Sequence, residues 1–220
     1  HLGVKAGTPF YQLRQLFPNV RIEALSSNYE LYGEITGRVM TIIRDMAPQC
    51  FRYSIDEAFA VLDGFSVEQL KEWGEELHRR VLQSVGMPLT IGIAPTKTLA
   101  KMASHFAKKY AGYNHCCVID TDDRRLKAAA LYPIGEVWGI GRRYAARLES
   151  YGIRTAYDFA AHSRSWVRAT FKTVVVERTW AELNGTDCVP DDLPAKKKSI
   201  CTSRSFSGMV CDFDTLRTHV

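Results

Sequence analysis

The chain has 220 residues, 46% of them apolar, and a formal net charge of +5. That is enough apolar material for one large or two smaller cored domains. No run reaches the roughly 18 apolar residues that a membrane helix needs, so neither a span nor a membrane partner is expected, and no secretory leader is read at the N-terminus.

Residues 20–26 (Val-Arg-Ile-Glu-Ala-Leu-Ser) alternate as a half-buried strand would. From Asn28 to about Ala47, Leu31, Ile35, Val39, Ile42 and Ile43 recur at helical spacing. Tyr29 and Tyr32 sit at i and i+3 near that helix start, a pattern that favours core packing over substrate contact. Two short apolar runs follow, Cys50 to Ile55 and Phe59 to Leu62, with Asp56 and Glu57 at the turn between them. Gly64 turns the chain, Ser66 and Gln69 spell a capping box, and a helix with Leu70, Trp73, Leu77 and Val81 on one face runs to Gly86. Leu89 to Ile93 reads as a strand, Thr96 to Tyr110 as a helix, and Cys116 to Asp120 as a buried strand. His115-Cys116-Cys117 has no C-x-x-C partner, so zinc is not expected there. The six cysteines show no regular spacing, which suits reduced thiols and a cytoplasmic location.

Beyond Thr121 the alternation gives way to short helices, expected at 123–130, 142–151, 156–162 and 173–184. Between 137 and 180 eight bases face three acids, a local excess that suits a polyanion. A polar, proline-broken linker is expected at 191–199, with a strand from Ile200 onward.

Three groups carry chemistry. Adjacent carboxylates at a turn can swing to one point, where they repel unless a cation sits between them, and magnesium with its oxygen ligands is the natural choice. Lys97, Lys101 and Lys108 fall at i, i+4 and i+11 of one helix, within about 40° of each other. Such a row suits a triphosphate or a phosphate backbone, although an ordinary solvated face has the same pattern. Gly139-Ile140-Gly141-Arg142-Arg143, leading into a helix N-terminus, has the form of a helix-hairpin-helix that grips DNA backbone without reading sequence.

Taken together these stretches resemble the Y-family, lesion-bypass DNA polymerases. The matching segments are Leu2–Pro9, Ser27–Tyr32, Tyr53–Ala58, Ile91–Ala94 with Lys97–Lys101, and Ala107–Lys109. Val137–Arg143 and Glu177–Thr179 look most like the UmuC branch, with the DinB branch second. The resemblance implies an α/β palm with a mixed sheet and covering helices (28–120), preceded by partial fingers (1–27). An all-α thumb with the helix-hairpin-helix (121–190) follows, then the linker and the start of an α+β little finger (200–220). It implies template-directed DNA synthesis across damage, as in SOS mutagenesis and repair. Asp56 and Glu57 would supply two of three carboxylates for two Mg2+ ions, and Lys108 would contact the incoming dNTP. Lys97 and Lys101 would lie nearby, and Gly139, Ile140 and Gly141 would hold DNA backbone. Expected partners are primer-template DNA, dNTP, a UmuD-type subunit, a RecA filament and a sliding clamp. The family's first strand, with its metal aspartate, is not found in the sequence, which begins inside the fingers without an initiator Met and ends early in the little finger. The chain is therefore expected to be a fragment, inactive alone. The other readings are a non-catalytic DNA-binding remnant and a metal-dependent nuclease.

Overall fold

The computed structural model describes residues 2–5, 7–47, 49–191, 199–201, 206 and 208–218. After α1 (Phe10–Leu16), the long helices begin where a short polar side chain takes up free backbone N–H groups. Asn28 accepts from Leu31 N at the head of α2 (Tyr29–Met46). Ser66 and Gln69 close the expected capping box on α3 (Val67–Val85), and Gly86 ends that helix at φ 76°. Thr96 accepts from Leu99 N at the head of α4 (Lys97–Lys109).

The strands are short. β1 (Cys50–Arg52) pairs antiparallel with β2 (Ala58–Ala60), placing Phe51 opposite Phe59. β3 (Ile91–Ile93) pairs in parallel with β4 (Cys116–Val118). The pairing is thus mixed in sense but divided between two ladders, where one mixed sheet was expected. Packing unites them instead. Met40, Ile43, Leu77 and Val81 of α2 and α3 bury against Cys50, Ala58 and Ala60 of one ladder and Ile91 of the other. On the opposite side α4 lies directly on β3. A Cβ at Gly92 would sit 2.0 Å from Ala100 O and 2.2 Å from Ser104 N, so only glycine admits this approach.

The helical half comprises α5 (Asp122–Leu131), α6 (Arg142–Ser150), α7 (Ala156–Ala160), α8 (Arg164–Phe171) and α9 (Val174–Leu183); α10 (Phe213–Thr218) stands further on. The larger core joins the two halves. Leu99, Met102, Ala103 and Phe106, the expected apolar face of α4, bury with Ile134, Leu148, Phe159, Val167, Val176 and Leu183. Cys116 and Cys117 are buried in β4, and burial pushes the Cys116 thiol up to about 11. Among the described residues no helix is long and apolar enough to cross a membrane.

Three further expectations are corrected. Residues 20–26 form no strand; Leu25 is 91% exposed, and alternation without a neighbouring strand has nothing to pair with. Tyr29 and Tyr32 are not core residues but exposed, edge to face with each other at 6.0 Å, because the start of α2 overhangs the core that buries Met40 and Ile43. α8 fills a stretch for which no helix was expected. Much of the expected linker and of the strand beyond Ile200 (192–198, 202–205 and 207) lies outside the described residues.

Candidate functional site

β1 and β2 present Asp56 and Glu57 at the bend between them. The backbone N–H groups of Tyr53 and Ser54 both donate to Glu57 O, at 2.9 and 3.1 Å, which closes the turn. Asp56 is exposed and accepts from the Ser54 hydroxyl at 2.6 Å. Glu57 is half-buried and forms an ion pair with Lys101 from α4. One carboxylate of the turn, Glu57, therefore meets a cation, through a helix that Gly92 lets down onto the neighbouring ladder, while Asp56 beside it is held by Ser54.

The three lysines part ways in the folded chain. Lys101 also lies over the Tyr53 ring, 5.7 Å from its centroid. Lys97 lies 6.0 Å from the Phe59 centroid, donates to Val189 O at 2.6 Å and pairs with Asp191 at 3.0 Å. Lys108 is exposed seven residues after Lys101, roughly 10 Å further along the helix. Thus Lys97 and Lys101 gather at the carboxylate hairpin, and Lys108 stands apart from it.

The glycine loop sits beside the same hairpin. A 3-10 turn at Ile134–Glu136 leads into it, and Gly141 is the N-cap of α6, with no side chain taking up the first free N–H groups. Those groups and the exposed Arg142 and Arg143 form a positive end open to an anion. Ile140 is buried, and its N–H donates to Val137 O at 2.9 Å, which fixes the loop. Gly139 has φ +89°, and a Cβ there would fall 2.4 Å from Thr179 Oγ1. The Thr179 hydroxyl donates to Trp138 O at 3.3 Å, bracing the loop from α9. Below it, burial pushes the Tyr132 phenol up to about 12, and the phenol donates to Glu136 O at 3.1 Å.

Two contacts were not expected from the sequence. Trp138 Nε1 donates to Tyr53 Oη at 3.1 Å, and the Tyr53, Phe59 and Trp138 rings cluster with centroids 5.5 to 5.8 Å apart. Glu182 is fully buried; its Oε2 accepts from Thr98 N at 2.7 Å, and its Oε1 accepts from Val189 N at 3.1 Å and Cys188 N at 3.4 Å. A carboxylate among the buried Val176, Thr179 and Leu183 of α9 is a signal the sequence does hold, since a charge on an apolar helix face needs a partner.

Residues 1–105 match the model of the impB/mucB/samB family. Over its whole length the chain is 39% identical to Protein UmuC of Salmonella typhimurium strain LT2, covering 52% of that protein. It is 28% identical to DNA polymerase IV of Dehalococcoides mccartyi over 93% of the chain and 51% of that protein. Among solved structures, the insertion ternary complex of Dbh DNA polymerase aligns with a TM-score of 0.71 at 24% identity, over 87% of this chain and 54% of that one. The chain spans about half the length of the curated relatives it matches.

Proposed function

We propose that the chain, whose residues 1–105 match the impB/mucB/samB family and which is 39% identical to Protein UmuC, forms the nucleotide-adding and DNA-gripping part of a translesion DNA polymerase. The observation that carries this is the Glu57–Lys101 ion pair at the turn that also bears the exposed Asp56, with the hairpin joined to the glycine loop through Tyr53 and Trp138. A module that only held DNA would gain nothing from two carboxylates next to phosphate, since they would repel it.

The donors suit magnesium, which takes one or two carboxylates and leaves the remaining positions to water and phosphate. Asp56 is open to solvent, and Glu57 already faces a cation, the Lys101 ammonium. Among the described residues no cluster of three His, Cys, Asp or Glu side chains gathers to hold a metal, so the shell would be completed by groups outside that set. Asp56 and Glu57 would hold the ion, which would supply positive charge against the triphosphate and the leaving pyrophosphate. The protein's own residues bind and orient. Lys101 balances Glu57 and the triphosphate, Lys97 and Lys108 add positive charge along α4, and the Gly139–Arg143 loop holds the DNA backbone. The domain roles of fingers, palm, thumb and little finger belong to the same proposal, as do the cytoplasmic location and the UmuD-type, RecA and clamp partners, which rest on the resemblance alone.

The test is magnesium-dependent binding of a dNTP to the complex with primer-template DNA, followed by fluorescence of a labelled nucleotide. Asp56→Ala should abolish it while leaving DNA affinity within about threefold, because the backbone grip is a separate set of contacts. Unchanged nucleotide binding in Asp56→Ala would refute the proposal. DNA binding without any magnesium-dependent nucleotide binding in the unaltered chain would favour the non-catalytic reading.

A further inference from the structure

Trp138 joins the carboxylate hairpin to the glycine loop through its contacts with Tyr53 and Phe59, side chains that are neither proposed metal ligands nor proposed phosphate contacts. At its main chain it is held from α9, since Thr179 donates to its carbonyl. At its side chain it is held by the hairpin, since the indole N–H donates to Tyr53 Oη at 3.1 Å and the ring packs edge to face on Tyr53 at 5.6 Å. Tyr53 in turn donates its backbone N–H to Glu57 O at 2.9 Å. Two hydrogen bonds therefore join the residue beside Gly139 to the backbone of a proposed metal ligand. No flexible linker intervenes. The indole and phenol rings have few rotatable bonds, and Phe59 supports both rings from the strand side. Lys101 covers the other partner of the pair, over the Tyr53 ring.

Resting on the polymerase reading above, we infer that Trp138 is a positioning residue: its bond to Tyr53 sets the reach between the gripped DNA backbone and the Asp56-Glu57 turn. DNA bound on the loop then stiffens the hairpin, and the carboxylates meet the primer end at one fixed geometry. Tyr53 is the second half of the same device. Neither residue touches the reacting atoms. Their loss should uncouple the two ends without weakening either, which distinguishes positioning from a general contribution to the fold.

The experiment is hydrogen–deuterium exchange of the Tyr53 and Ser54 amides, with and without a saturating DNA duplex carrying a recessed 3′ end, alongside DNA affinity by anisotropy. In the unaltered chain DNA should slow those amides by about fivefold, the low end of coupling between two sites. Trp138→Phe keeps the packing and removes the donor. It should bind DNA within about twofold of the original affinity and lose the slowing, as coupling without contact loss requires. Tyr53→Phe should behave the same, and the double variant should be no worse than either single one. DNA-induced slowing that persists in Trp138→Phe at matched saturation would overturn the inference and leave the polymerase reading intact. An unaltered chain that binds no DNA at low salt would overturn that reading, and the inference with it.

Discussion

Replacing Glu182 by Gln tests whether one buried carboxylate ties the two halves together. The side chain is fully buried, and both its oxygens accept backbone N–H groups, Oε2 from Thr98 and Oε1 from Val189 and Cys188. Glutamine keeps one carbonyl oxygen. Whichever segment that oxygen serves, the amide NH2 must face a donor on the other side. A hydrogen bond to a charged acceptor contributes about 1.5–3 kcal/mol net. Thr98 is the second residue of α4, so a negative charge there also gains up to about 2 kcal/mol from the helix N-terminus. The amide is cheaper to desolvate than the carboxylate and offsets part of both, leaving a net loss of about 2–3 kcal/mol. For a total stability of about 5–15 kcal/mol that is a substantial fraction. In urea unfolding followed by circular dichroism, with a slope of about 2–3 kcal/mol/M, the midpoint should fall by about 1 M. Glu182→Ala, which leaves three N–H groups without an acceptor and opens a cavity, should fall further. A Gln variant within about 0.3 M of the original, less than about 1 kcal/mol, would refute the reasoning.

Other outcomes follow from the same contacts. Gly139→Ala forces a side chain to a left-handed φ and into Thr179; it should destabilise by about 2 kcal/mol or more, read in the same urea assay, and weaken DNA retention. Thr98 Oγ1 is buried without a partner among the described residues, so Thr98→Val should leave the melting temperature unchanged or raise it. Arg142→Ala with Arg143→Ala should weaken DNA binding equally for all sequences and lower the slope of log K against log salt by about 1–2; loss confined to one sequence would count against a backbone grip. Burial opposes ionisation of Asp158, but the N–H groups of Arg154 and Thr155 and the Thr155 hydroxyl outweigh it and hold the carboxyl below its usual range. Its contribution to α7 is therefore complete above the unfolded carboxyl's range and is lost as pH falls through the lower folded value. Asp158→Asn should flatten the acid limb of a stability profile below about pH 4, where an ordinary aspartate titrates.

Local patterns survived into the structure wherever the deciding partner is close in sequence. Asn28, Ser66, Thr96 and Gly86 each mark a helix end because the groups they satisfy lie within four residues. The carboxylate turn and the buried Cys116–Val118 strand were legible for the same reason. Lys97 shows the limit. Its spacing with Lys101 is sound helix geometry, yet its partners are Val189 and Asp191, more than ninety residues on. No periodicity encodes such a distance. The 20–26 segment fails in the opposite direction: alternation describes what a strand could do, and only a neighbour makes it one. α8 was missed because its buried positions are just Val167 and Phe171, too few to show a period.

The Thr98–Glu182 bond also bears on how the chain is made. It joins residues 84 positions apart, so the head of α4 cannot be completed until α9 has left the ribosome. At about 5–20 residues per second, that leaves α4 waiting roughly 4–15 s after its own synthesis. Through that interval the apolar face of Leu99, Met102 and Phe106 lacks its α9 cover, and the nascent chain is a client for any factor that shields such surfaces. Slowing translation between codons 109 and 182 should therefore lower soluble yield more than the same pause placed after residue 191.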